Sequence, residues 1–152
     1  MSSFWRTWLN VWCVGVGLFG LVLAGAAFEA TSGATRLIFG FLGNPIEGAL
    51  EPHTQFSLAV LGAVSMGWAV VFYAAFDAAH KLGANGRTTW LLITDAAIVW
   101  YVVDTTLSVA TGFPMNAVPN TILAIGFLIP LLASGVLKRD APSATLQAVR
   151  EG

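Results

Sequence analysis

QFSLAVLGAVSMGWAVVFYAAF, residues Gln55–Phe76, contains no Asp, Glu, Lys, Arg or His. A helix crossing the hydrocarbon layer of a bilayer needs about 20 predominantly apolar residues, and this stretch supplies them without interruption. In hydrocarbon, every backbone N–H and C=O must find a partner, which an isolated segment achieves only as a helix. Three more segments of the same kind flank it: Trp5–Phe28 before, Thr89–Thr111 and Val118–Leu137 after. None has the period-two alternation of a transmembrane β-strand. The expectation is an all-α integral membrane four-helix bundle, a single transmembrane domain over residues 1–152.

The composition of the whole chain agrees. Hydrophobic residues make up 57% of the 152 and charged residues 10%, against roughly 25% charged in soluble domains. Mean hydropathy is +0.77. So few charges cannot cover the surface of a small water-soluble fold, which excludes a soluble enzyme and a disordered tail. Cys13 is the single cysteine, so no internal disulfide scaffold exists. A net charge of -1 leaves no basic footprint, and no nucleic-acid partner is expected. The expected partner is the lipid bilayer.

Orientation follows from the cations. Arg6, Lys81, Arg87, Lys138, Arg139 and Arg150 flank one set of helix ends, whereas the first loop holds Arg36 alone and the turn Gly112–Ala117 holds none. The positive-inside rule then puts both termini in the cytoplasm of an inner membrane. Arg6 and the Ala24-Gly25-Ala26 stretch imitate a signal peptide. The length of the first apolar run and the tryptophans Trp5, Trp8 and Trp12, which read as an interface anchor, favour a retained span. The outward first loop, Glu29–Thr54, includes an apolar run from Ala34 to Leu42, too short to cross and closed by Gly43-Asn44-Pro45. It reads as a short interfacial or re-entrant helix, or else as an ordered cap over the bundle. Pro142-Ser143 in the tail reads as the cap of a short amphipathic helix.

Helices associate in lipid through small residues that let backbones approach. Gly17, Gly20 and Ala24 form such a ridge on the first span. Ala59, Ala63 and Gly67 form one on the second, with Gly62 beside it. Pro130 lies inside the fourth span and frees the carbonyl of Gly126, predicting a kink.

Counting residues removes the familiar cofactor chemistries. Disulfide exchange needs paired cysteines. His53 and His80 stand about 40 Å apart along one helix at 1.5 Å per residue, so one chain cannot clamp a haem between them. No histidine for chlorophyll lies in mid-membrane, Lys81 and Lys138 are too terminal to hold retinal, and no Glu-x-x-His motif for a di-metal site occurs. No cofactor and no metal are expected.

Ionisable groups within a span are functional candidates by default. Asp104 shares a stripe with Ser108 and Thr111, with Trp100 one turn earlier and Thr105 alongside. The following turn brings Asn116 and Asn120 to the same level. Glu29, Glu51, His53 and Gln55 lie at that same outer end. Two readings stand: a polar network that pins helices together, or an outward-facing pocket for a ligand or a proton. Asp95, nine residues earlier, points elsewhere and is expected to pair with Arg87 or Lys81 or to contact the end of another helix. Trp68 sits in mid-membrane and needs an acceptor for its indole N–H, as a packing residue or a ligand-stacking one.

The sequences Leu61-Gly62-Ala63-x-x-Met66-Gly67-Trp68, Asp104-Thr105-x-x-Ser108 and Asn116-Ala117-x-x-Asn120 resemble those of a group of small bacterial four-span inner-membrane proteins of uncharacterised activity. The resemblance implies a bacterial inner-membrane setting, brings no mechanism, and groups Trp68, Asp104, Ser108, Asn116 and Asn120 as a unit. The functional expectation is a non-enzymatic protein. It would bind a small or lipidic ligand through Asp104, Ser108, Asn116, Asn120, Trp68 and His53, or serve as a subunit of a larger membrane complex. The alternative is an oligomeric proton-linked transporter or channel using Asp104, with the small-residue ridges available to a homo-oligomer. An enzyme acting on lipid head groups would have only Glu51 and His53 as an acid–base couple.

Overall fold

The computed structural model describes residues 1–138. The expectations for Arg139, Pro142-Ser143 and Arg150 lie outside the described residues. Within them the chain is all-α. Helix α1 spans Ser3–Ala24, the short α2 Gly33–Phe41, α3 Pro52–Lys81, α4 Arg87–Ala110 and α5 Ala117–Ser134. With their flanking 3-10 turns, α1, α3, α4 and α5 are each long and apolar enough to cross a membrane. Such helices contact the lipid bilayer.

The helices form a square in which α1 neighbours α3 and α5, and α4 neighbours α5 and α3. One end of the square, the amino-terminal end, carries Ser3, Lys81, Arg87 and Ser134. The other carries α2 and the turn between α4 and α5. The α1–α3 contact is the most extensive, and glycine makes it possible. A Cβ on Gly20 would fall 2.7 Å from the Gly62 carbonyl oxygen, and one on Gly62 would collide with the Ala24 backbone. The α1 ridge is the expected one, with Gly17 against Ala69. On α3 the contact is made by Leu58, Gly62 and Ala69, all buried, whereas Ala63 and Gly67 are exposed. The second ridge thus lies on a different face from the one expected.

Most of the apolar core sits toward the amino-terminal end. Leu9, Cys13, Phe72, Phe76, Trp90, Phe127 and Leu131 are buried together. Phe76 stacks on both Trp90 and Phe127. Of the three tryptophans expected to anchor at the interface, Trp12 turns inward, whereas Trp8 stays exposed while bonding to α5. Pro130 has no N–H for the Gly126 carbonyl, and Trp8 Nε1 donates to that oxygen at 2.7 Å. Trp12 Nε1 donates to the Leu123 carbonyl at 3.0 Å, and its ring packs edge-on against Phe72. Indole groups from α1 thereby satisfy the α5 backbone around its proline.

A second, smaller core of Leu23, Ala26, Leu50 and Leu58 fixes the first loop to the other end. Thr35 of α2 is fully buried and donates to the Val22 carbonyl at 2.7 Å. Arg36 donates to Ser32 Oγ and to the Ile46 carbonyl, and pairs with Glu29. The other oxygen of Glu29 accepts the Leu50 N–H. Asn44 reaches the Gly112 carbonyl in the α4–α5 turn, and Phe39 meets Phe113 edge-on. The first loop is therefore an ordered cap held by the buried Ser32 and Thr35 and by the partly exposed Arg36–Glu29 pair, with Leu37 and Phe41 left exposed.

Candidate functional site

The polar cluster grows from the helical spacing of α4 and the tight turn after it. Asp104 and Ser108 are one turn apart, so Ser108 Oγ donates to Asp104 Oδ1 at 3.1 Å. Gly112, at φ 90°, lets the chain reverse where an L side chain would be strained. The 3-10 turn Pro114–Asn116 then delivers Asn116 to the first position outside α5. An asparagine there ordinarily caps the helix by accepting from the second or third N–H inside it. Here no side-chain cap forms, and the third helical residue is Pro119, which has no N–H to offer. The Asn116 amide faces α4 instead. It donates to Asp104 Oδ1 at 3.1 Å and to Ser108 Oγ at 2.9 Å. One turn on, the buried Asn120 donates to Asp104 Oδ1 at 2.8 Å and to Thr105 Oγ1 at 3.3 Å.

All three donors converge on a single carboxylate oxygen. Asp104 Oδ2 has no donor among the described residues, and neither do the side-chain oxygens of Asn116 and Asn120. Among the described residues no buried side-chain polar atom lacks a partner, so these open acceptors are not sealed in. Ser108 and the two amides spend their donors here and keep acceptors, around one carboxyl group with no cation beside it among the described residues.

Directly along the same two helices lies a cavity of about 190 Å³. Tyr101 and Thr121 stand at its polar end, joined hydroxyl to hydroxyl at 3.0 Å. The remainder is apolar: Ala97, Ile98, Ala124, Ile125, Phe127 and Leu128. Tyr101 is three residues before Asp104 and Thr121 follows Asn120, so the cavity neighbours the cluster along both helices, although no cluster residue lines it.

Four of the six expected site residues, Asp104, Ser108, Asn116 and Asn120, are thus one hydrogen-bonded group. Trp68 is not bonded to it. Its ring, 39% exposed, contacts Phe72 and Trp100 edge-on, and Trp100 precedes Asp104 by one turn. His53 is exposed in the first turn of α3 and makes no hydrogen bond with the cluster. The expected ion pair of Asp95 does not form. Lys81 pairs with Asp77 at 2.6 Å, Arg87 Nε donates to the Leu137 carbonyl at 3.1 Å, and Asp95 is exposed. Sequence reasoning missed the Tyr101–Thr121 pair and its cavity. The available signal was a phenol three residues from Asp104 and a hydroxyl beside Asn120. Among the described residues no group of three or more His, Cys, Asp or Glu side chains converges as a metal centre would require.

No known protein family, curated protein or solved structure matches this chain. The resemblance noted in the sequence therefore identifies no family.

Proposed function

We propose that this chain is a small multi-pass protein of a bacterial inner membrane, a non-enzymatic unit over residues 1–152 that holds an amphiphile on its α4–α5 face. In this reading both termini and the turn around Gly83 lie in the cytoplasm, and α2 lies at the outer interface. The head of the ligand, bearing N–H or O–H donors, meets Asp104 Oδ2 and the Asn116 and Asn120 oxygens. Its tail enters the apolar slot between Ala97, Ala124 and Leu128. Ser108 and Thr105 hold the acceptors in position, and Trp68 with Trp100 forms the aromatic wall next to the head. His53 stands at the outer mouth.

The observation that carries this reading is the uncovered Asp104 Oδ2 on the same two helices as an apolar slot. A carboxylate in a low-dielectric site binds a charged donor far more strongly than in water. An ammonium head group, which offers both charge and N–H, should outcompete a quaternary ammonium, which has no donor, and a neutral hydroxyl. The test offers the purified protein equal amounts of phosphatidylethanolamine, phosphatidylcholine and phosphatidylglycerol in detergent and counts bound lipid by native mass spectrometry. Phosphatidylethanolamine should dominate. Asp104→Asn should reduce that preference about tenfold, equivalent to ~1.4 kcal/mol. Ala124→Phe should reduce retention of all three lipids. Equal retention by the wild type and Asp104→Asn overturns the reading.

The same open oxygen, about 9 Å inside the end of α4 at 1.5 Å per residue, supports a second reading as a proton-carrying group in an oligomeric transporter. Proton flux into proteoliposomes that disappears in Asp104→Asn would establish it in place of the first. Membership of a larger membrane complex is compatible with either.

A further inference from the structure

Asp95 breaks the ordinary rule for polar residues in a span. It lies eight residues into α4, about 12 Å along the axis, and is exposed on the surface of the bundle. At 100° per residue it points away from the side bearing Trp90, Ala97, Tyr101, Asp104 and Ser108, which faces the other helices. Its companions on that outer face are Leu92, Val99 and Val102, each more than half exposed. Ionisable side chains at such depth normally turn toward protein. The helix as a whole repeats the inversion. Only 11% of the apolar window in the α4 span is buried, against 28%, 22% and 22% in the other three. Yet α4 carries both mid-span carboxyls. The span with the most reason to be covered is the least covered.

The opposite corner of the bundle offers what Asp95 lacks. Tyr73 on α3 is 52% exposed and its hydroxyl has no hydrogen bond among the described residues. Asn10 on α1 is exposed, its side chain likewise without a partner among the described residues. Tyr73 continues the Met66–Ala69 ridge and Asn10 continues the Cys13–Gly17 ridge, so the two flank the seam between α1 and α3. Their level can be read from aromatic contacts. Trp68 meets Trp100, and Phe76 meets Trp90, which sets residue 73 of α3 level with residue 95 of α4. Trp12 against Phe72 sets Asn10 within a turn of the same plane. An acceptor on one side of the bundle and two donors on the other thus share one depth.

We propose that α4 docks against the α1–α3 seam of a second copy of this chain, with Asp95 accepting from the partner copy's Tyr73 hydroxyl and Asn10 amide. Two copies in one membrane share orientation, so groups at equal depth meet without either chain shifting. The contact is head-to-tail and repeats until a ring closes. An α4-to-α4 pairing would instead place two carboxyls face to face. The inference rests on the membrane-spanning reading and is independent of the ligand at Asp104.

The test is disulfide trapping in membranes, in a Cys13→Ser background. Val99→Cys on one tagged copy and Val70→Cys on a differently tagged copy mark the two faces one turn from the polar groups and leave those groups intact. Oxidation should give mixed-tag dimers at least fivefold above either same-variant dimer. Adding Asp95→Leu should lower that yield at least fivefold with helix content unchanged by circular dichroism. Adding Asp104→Asn should leave it as it was, which separates this contact from the ligand site. A dominant Val99-to-Val99 product, no mixed product, or trapping insensitive to Asp95→Leu overturns the proposal.

Discussion

At the scale of single residues, the Asp104 cluster is a network whose members are unequal. Asn120 is 5% exposed and makes two bonds, one of them at 2.8 Å. Thr105 contributes only a long acceptor contact at 3.3 Å. Hydrogen bonds between membrane helices average about 0.6 kcal/mol, so Asn120→Leu should destabilise the bundle by about 1 kcal/mol. Thr105→Val should change it by less than about 0.5 kcal/mol. Unfolding equilibria in mixed micelles would measure both, and an equal effect of the two would show that Asn120 acts by packing alone. Four of the cluster's members were legible in the sequence for a simple reason. Asp104 and Ser108 obey helical spacing, and a turn as short as Gly112–Asn116 leaves the next helix nowhere else to begin. His53 and Trp68 were not resolvable in the same way. Both sit on α3, and the side of α3 that faces α4 depends on how α3 packs on α1.

That packing belongs to the scale of elements. Small residues occur on several faces of α3, so composition alone identifies a close-approach helix without identifying its contact face. Gly62 proves to be the contact, while nothing lies within 4 Å of a Cβ on Gly67. Gly62→Ala should therefore destabilise by about 1–3 kcal/mol, the usual range for overpacking, and Gly67→Ala should cause no loss. A thermal melt in detergent compares them directly. The junction of α1 and α5 allows a sharper test. Trp8 donates to the carbonyl that Pro130 leaves without a partner. Pro130→Ala returns an N–H to that carbonyl. The loss caused by Trp8→Phe should then be larger in the Pro130 background than in the Pro130→Ala background, with a coupling energy of about 1 kcal/mol. Additive effects would mean that the indole contributes packing only. The sequence revealed the stranded carbonyl but not its donor, because the donor comes from a helix more than a hundred residues away in the chain.

At the scale of the whole molecule, orientation depends on how unevenly charge is distributed between the two ends. The first loop has one cation, Arg36, whereas Arg6, Lys81, Arg87 and Lys138 lie at the other end. The Arg36 guanidinium is paired with Glu29 and further committed to Ser32 and Ile46. At the other end Arg6 is exposed and Lys138 is exposed. Arg87 spends Nε on a backbone carbonyl and retains its full charge. The positive-inside rule counts cations near helix ends, and on this count the proposed orientation puts the end carrying Lys81 and Arg87 in the cytoplasm. The clasp also explains why the apolar α2 needs no span of its own, since Thr35 and Arg36 tie it to the end of α1 and to Ile46. Cysteine labelling in intact cells tests this arrangement. Cys13 is 4% exposed and should stay silent toward a membrane-impermeant maleimide. Glu47→Cys, exposed in the first loop, should react in whole cells. Ala84→Cys, exposed in the turn between α3 and α4, should react only after the membrane is opened. The reverse pattern would turn the bundle over and move the Asp104 acceptors, with any ligand they hold, to the cytoplasmic side. Labelling of both cysteines in intact cells would mean that the chain inserts in two orientations, with clasped Arg36 too weak a contrast to choose between them.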